Sequence, residues 1–456
     1  MLKLRQILSN LRASFWFLPS LIVLVSIILA IALIEADTAG GDRWLSQWPR
    51  LFGAGAEGSR QMLSTLAGSM MTVLGVTFSM TLVALTLASS QYTSRILRIF
   101  MRSRITQTTL GVFAGTFTYC LIVLRTIRSG SVVEFIPGLA VFFAFVLALG
   151  SVGVLIFFIH HIASSIQASS IIASVARETY SAIDRLFPGE KEQGVGEGED
   201  ENEEQLLRLL NEKTWCAVPA EESGYIQSVD SDALLRLARD KKTILRMEHG
   251  IGDFVVQKTA LASLALEEAP DKETVAAINA AYSIGIHRTV DQDPAFGIRQ
   301  IEDIALKALS PGVNDTSTAV MCLDHLTAIL AHLAGRQLPP LRLCKDGELR
   351  VITIGPTFES LLADSFDQIR RSAAGNVAIM ACILSALDNI ASLTGSPRRR
   401  QALCEQMQRI AELAERTIES THDRAHIKMR LTPLRETLEA DPAVGAVKVI
   451  CDKGHL

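Results

Sequence analysis

Phe15-Trp16-Phe17-Leu18-Pro19-Ser20-Leu21-Ile22-Val23-Leu24-Val25-Ser26-Ile27-Ile28-Leu29-Ala30-Ile31-Ala32-Leu33-Ile34 carries no charge. Its length of about twenty residues is what an α-helix needs to cross the hydrocarbon core of a bilayer. Lys3, Arg5 and Arg12 precede it, an arrangement shared with signal peptides. The apolar run is longer than a signal core, however, and others follow, so a retained membrane helix is expected. The further runs extend from Met62 to Ser90, from about Ile105 to Leu124 and from about Phe135 to Ile159. Four spans are therefore expected. Hydrophobic residues make up 49% of the 456, and the excess lies before residue 165.

A net charge of −4, with no groove of interleaved basic and aromatic residues, argues against a nucleic-acid partner. The cysteines (Cys120, Cys216, Cys322, Cys344, Cys382, Cys404 and Cys451) are scattered and form no CxxC pair. That spacing offers neither a zinc nor a disulfide framework and suits a reducing compartment. His287 and Asp291 lie four apart, as do His422 and His426, but neither pair supplies the three ligands that a metal needs. No cofactor or metal is expected. No nucleophile elbow, phosphate loop or zinc-protease signature is present, so an enzyme is not expected.

Basic residues set the orientation. The N-terminal arm carries three and no acid, and the loop between spans two and three carries Arg95, Arg98, Arg102 and Arg104 with no acid. Between spans one and two, Glu35, Asp37, Asp42 and Glu57 offset Arg43, Arg50 and Arg60. An inner-membrane protein with both termini in the cytoplasm follows from that asymmetry. Arg125 and Arg128, on the outer loop, run against the rule and are candidate contacts for anions or headgroups.

Span two is rich in small and hydroxyl residues. Thr65, Gly68, Ser69, Thr72, Gly75, Ser79, Thr86, Ser89 and Ser90 recur at offsets that share a helical face. Such a face suits close helix packing, and it equally suits the wall of a narrow uncharged pore around an oligomer axis. The segment from Gln91 to Phe100 then alternates Ile96, Leu97, Ile99 and Phe100 with Arg95 and Arg98, the pattern of a basic interfacial anchor. No ionisable residue stands in the middle of any of the four spans, and none is Pro-broken in matching halves, which disfavours coupled transport. His160 and His161, where span four leaves the membrane, read as wet interfacial residues.

Span four is expected to run on as a helix to Leu186, stopped by Pro188-Gly189. The Gly- and Glu-rich stretch from Glu190 to Gln205 reads as a solvated linker. From Glu221 to Leu266 come short apolar runs with turns: a strand at Gly224–Val229, a helix at Leu234–Ala238 capped by Ser231 or Asp232, and strands at Thr243–Met247 and Gly250–Val256. This spacing resembles a small barrel-sandwich unit of the biotinyl or lipoyl type, without a Met-Lys-Met tip for a carrier. Helices follow at Glu273–Ile286, Ile298–Leu309 and Ser317–Ala334, a hairpin at Leu341–Ile354, and helices at Phe358–Arg371, Asn376–Leu393 and Arg398–Thr421. The domain plan is a transmembrane domain at 1–165, a membrane-proximal helix at 166–187, a linker at 188–206, the β-rich unit at 207–270, a mostly helical domain at 271–440 and a tail at 441–456.

Two connections stand out, His287 to Gln300 and Ala308 to Ala319. Gly312 permits a tight turn, and Asn314 or Asp315 can cap the next helix beside Ser310. Exposed amides at such a helix start attract anions, and Arg288 and Arg299 could join them around a small anionic ligand. Capped turns stapled by Arg–Asp pairs are the competing expectation.

The chain resembles the bacterial membrane-protein family catalogued as domain of unknown function 2254, from about Phe15 to Arg435. The likeness is carried by Ala88-Ser89-Ser90-Gln91-Tyr92-Thr93 with Arg95, Gly115-Thr116-Phe117, Leu124-Arg125-Thr126-Ile127-Arg128, and Phe158-Ile159-His160-His161-Ile162. Gln292-Asp293-Pro294, Phe296-Gly297-Ile298-Arg299-Gln300 and Leu309-Ser310-Pro311-Gly312 complete it. Lys258 and Ala260 stand where the family tends to have glycine and proline, and Thr316 where it has proline. The resemblance implies a membrane location and this layout, with no catalytic residues to carry over. Two functions are expected: a homo-oligomeric channel-like protein with a cytoplasmic gating or assembly domain, or a non-conducting scaffold or sensor.

Overall fold

The structure is a computed structural model that describes residues 16–38, 55–91, 104–128, 135–187, 213–338, 342–345 and 348–439. The acidic stretch at 190–205, the tail at 441–456 and the arginines at 95, 98 and 102 lie outside these residues. The chain divides into two compact units, residues 1–171 and 172–456.

The N-terminal unit contains α1 (Phe17–Thr38), α2 (Ala56–Gln91), α3 (Arg104–Thr126) and α4 (Gly138–Ser165). All four are long and apolar enough to cross a membrane, as is one later helix, Thr316–Ala334. The unit is built around α3, which packs on each of the other three. Thr106, Gln107, Thr109 and Thr116 of α3 are buried, so the least apolar of these four helices is the innermost. Glycines set its approach to α1: a Cβ at Gly111 would lie 2.7 Å from Ile22 Cδ1, and one at Gly115 2.5 Å from Ser26 Oγ. Large apolar side chains of α1 and α4, including Leu24, Ile28, Leu149 and Ile156, point outward.

Polar side chains tie the helices together. Asp37, near the end of α1, accepts the amides of Leu139 and Ala140 at 3.1 Å each, and so caps the start of α4 from a distant helix. Tyr119 Oη donates to the Ala140 carbonyl at 2.8 Å, and the Thr116 and Ser151 hydroxyls meet at 3.3 Å.

The C-terminal unit begins within α5 (Ala168–Leu186). The continuous helix expected from span four is interrupted: α4 ends at Ser165, Gln167 turns, and α5 begins afresh. In the last turn of α4, Ser164 donates to the His160 carbonyl and the Ser165 hydroxyl meets the His161 ring. Next come β1 (Trp215–Pro219), β2 (Gly224–Val229), α6 (Ser231–Asp240), β3 (Leu245–Met247), β4 (Phe254–Val255), β5 (Ala260–Ala265), α7 (Lys272–Ala281) and β6 (Tyr282–Gly285). One sheet has the order β1-β5-β3-β8-β7 and the other β4-β2-β6, where β7 (Arg342–Lys345) and β8 (Glu348–Ile352) form an antiparallel hairpin and β3 pairs with β8 in parallel. Strands from beyond residue 270 thus complete both sheets. The helix expected through Ile286 stops at Ala281, because Tyr282 and Ile284 turn extended and pair with Val229 and Ile226 of β2.

The remaining helices are α8 (Pro294–Ala308), α9 (Thr316–Ala334), α10 (Phe358–Ser372), α11 (Val377–Ala391), α12 (Pro397–Thr417) and α13 (Thr421–Glu439). The single helix expected from Arg398 to Thr421 is two, since Ile418 turns extended between them. Side-chain caps start most of these helices: Asp230 for α6, Asp271 for α7, Asp293 for α8, Asp315 for α9, Thr357 for α10 and Asn376 for α11. For α6 the cap is Asp230 rather than Ser231 or Asp232, since the helix begins one turn earlier than its apolar pattern.

Candidate functional site

The hydroxyl and glycine stripe of α2 is turned away from the rest of its unit. Thr65, Gly68, Ser69, Thr72, Gly75, Ser79 and Thr86 are all exposed, and a Cβ at Gly68 or Gly75 would meet nothing within 4 Å. The helix packs instead through Ser59, Leu63, Ala67, Met70, Thr77 and Ala84. Thr65, Thr72 and Thr86 donate to the carbonyls of Gln61, Gly68 and Leu82 in their own helix, so their hydroxyls need no partner to satisfy their protons. The side chains of Ser89 and Ser90 lie outside the described residues, and Arg104 stands exposed at the start of α3.

The segment from His287 to Gln300 is a junction in the C-terminal unit. Asp293 accepts the Phe296 amide at 3.0 Å to cap α8, with Pro294 in the first turn, where its missing N–H costs nothing. The same carboxylate accepts Arg288 Nε and Nη2 at 2.9 and 2.7 Å. The Arg288 guanidinium also lies 5.1 Å over the Phe296 ring. Gly252, at φ 91°, passes so close that a Cβ would fall 2.5 Å from Asp293 Oδ2. Gln292 Oε1 accepts the Val229 amide at 3.0 Å, and Gln227 Nε2 donates to the His287 carbonyl at 2.7 Å, tying the segment to β2. One turn into α8, Gly297 lies against α5, where a Cβ would overlap Thr179 Oγ1.

Arg299 faces another way. It pairs with Glu302 at 3.0 Å and with Asp364 of α10 at 3.0 Å. Glu302 has no exposed side-chain surface, and burial, partly opposed by Arg299, pushes its carboxyl up to about 7. Burial likewise raises Asp293 above the usual carboxylate range, against the pull of Arg288.

Ser310, Gly312, Asn314 and Asp315 form the expected turn. Ser310 accepts the amides of Val313 and Asn314 through its carbonyl, Asn314 sits at φ 47°, and Asp315 caps α9 through the Thr318 amide and hydroxyl. Those Thr318 bonds hold Asp315 below the usual carboxylate range. Among the described residues no hydrogen bond or ion pair joins Arg288 or Arg299 to this turn; each arginine is held by carboxylates elsewhere. Asp293 and Gly297 lie in the quoted motifs and Glu302 one helical turn beyond Arg299, whereas Thr179, Gly252 and Asp364 enter only through the fold. Among the described residues no group of three His, Cys, Asp or Glu side chains is placed to hold a metal ion.

The chain matches, over residues 12–389, a family described as predicted membrane protein (DUF2254). It is 32% identical over 434 residues to an uncharacterised protein of Mycobacterium bovis, covering 93% of this chain and 80% of the relative. An uncharacterised protein of Mycobacterium tuberculosis is similar to the same extent, at 32% identity over 434 residues. No solved structure matches the chain.

Proposed function

Because this chain belongs to the DUF2254 family of membrane proteins, we propose that it is a homo-oligomeric, channel-like protein of the inner membrane. In this reading α1 to α4 span the bilayer, both termini lie in the cytoplasm, and the C-terminal unit assembles or gates the oligomer. The observation that carries it is the outward-facing stripe of Thr65, Gly68, Ser69, Thr72, Gly75, Ser79 and Thr86. Turned to lipid, such residues gain nothing over leucine. Turned to other copies, they allow close backbone approach, and around a symmetry axis they line an uncharged conduit. The bilayer and a second copy are the partners this requires, and no catalytic chemistry is assigned.

The test is the mass of the protein in lipid nanodiscs, together with conductance in planar bilayers. An oligomer that conducts, with conductance changed by Ser79→Trp or Thr72→Trp, is the expected result. A monomer, or an oligomer whose conductance ignores both substitutions, would reject the axial role of the stripe. The second reading, a non-conducting scaffold or sensor, draws on an open cleft between two helices of the C-terminal unit.

A further inference from the structure

That cleft, of about 310 Å³, lies between α10 and α12, within the size range of small-molecule sites. It exists because Ala363 on α10 and Ala402 on α12 stand where larger side chains would close the gap, with Leu362 beside them. Gln406, on the lining, is buried to 2% exposure. Its Nε2 donates to Asp367 at 3.0 Å, which fixes the orientation of the amide and leaves Oε1 as the remaining acceptor. Among the described residues that Oε1 has no hydrogen-bond partner.

The charges on the lining balance. Arg398 and Arg409 are opposed by Glu359 and Glu405. Arg409 is drawn to Asp367 at 3.6 Å and Glu405 at 3.7 Å, whereas Arg398 and Glu359 make no ion pair among the described residues. Among the described residues, Arg398 and Glu359 thus put one unpaired cation and one unpaired anion on the same cleft beside a short apolar floor, which matches a ligand that carries both charges. A simple anion would be repelled by Glu359 and Glu405, and a simple cation by the two arginines.

We propose that this cleft binds a small zwitterion of amino-acid size, its carboxylate held by Arg398 and its ammonium by Glu359. The site stands whether or not the chain conducts. The full-length protein in nanodiscs is dialysed to equilibrium against a radiolabelled pool of the twenty proteinogenic amino acids. Saturable retention is expected, weakened about tenfold or more by Arg398→Ala and by Glu359→Ala, both exposed residues whose loss leaves the fold intact. Ala363→Leu, which fills the cleft, is expected to abolish retention, and the two charge variants decide the matter if it misfolds. No saturable retention by the unmodified protein, equal retention by both charge variants, or full displacement by inorganic phosphate would each overturn the proposal.

Discussion

Glu302 shows how one buried carboxyl can tie stability to pH. With a folded value of about 7 and an ordinary carboxylate value near 4.3 when unfolded, it favours the folded state fully below the unfolded value. That contribution is lost as pH rises through 7, the opposite of the usual carboxylate. A gap of this size corresponds to about 3 kcal/mol across pH 4 to 8. Glu302→Gln is therefore expected to flatten the fall in unfolding temperature between pH 5 and 8, read from intrinsic fluorescence of the protein in detergent. An unchanged slope would place the titration elsewhere. A second residue makes a simpler case. Lys258 sits at φ 71°, a left-handed conformation in which a side chain is strained. Lys258→Gly is expected to stabilise by about 0.5–1 kcal/mol, the relief of strain outweighing the added freedom of the unfolded chain. A lower melting temperature would contradict this.

Among the elements, α8 makes three separate connections: its cap holds Arg288, its first turn lies on α5, and Arg299 reaches α10. Gly297 is the tightest of these contacts. Gly297→Ala is expected to destabilise by about 1–3 kcal/mol, as overpacking does, because the new methyl overlaps Thr179 Oγ1. Thr179→Ala in the same chain removes the obstacle and is expected to recover most of the loss, a coupling measurable as a double-mutant cycle in melting temperature. Additive losses would show that the two helices are not in contact there. The same element shows what a sequence can disclose. Asp293-Pro294 carries a helix-start signal in adjacent residues, yet the helix was expected only from Ile298 to Leu309, whereas α8 runs from Pro294 to Ala308. Of the acidic partners of Arg299, Glu302 lies one helical turn on and was within reach of the sequence, whereas Asp364 was not legible, because it is sixty-five residues away in the chain. Tyr282–Gly285 misled for a related reason: its local pattern continues a helix, but β2 offers an edge that only the fold assembles. In α2 the stripe was legible and its direction was not, since the helical pattern gives a face and not what that face meets.

For the molecule as a whole, the number of spans decides the reading of the C-terminal unit. Five helices have the length and composition to cross a membrane, and α9 is the fifth. Its apolar residues serve another purpose. Cys322, Leu323, Leu326, Ile329, Leu330 and Leu333 are buried, and the helix packs on α8 and α11. It carries Asp324 and His325 near its middle and an ion pair from His332 to Asp184. An aspartate at the centre of a spanning helix costs about 2.5–3.5 kcal/mol on insertion scales, whereas the half-exposed face of a helix in water bears it freely. The proposed four-span arrangement keeps α9 in the core of the C-terminal unit and places the C-terminus on the same side of the bilayer as the N-terminus. Green fluorescent protein fused after Leu456 is therefore expected to fluoresce, and alkaline phosphatase fused at the same point to be inactive. The reverse pair of results would reject the proposed orientation, through an inverted four-span arrangement or through a fifth span at α9, and the latter would separate β8 from its partner β3.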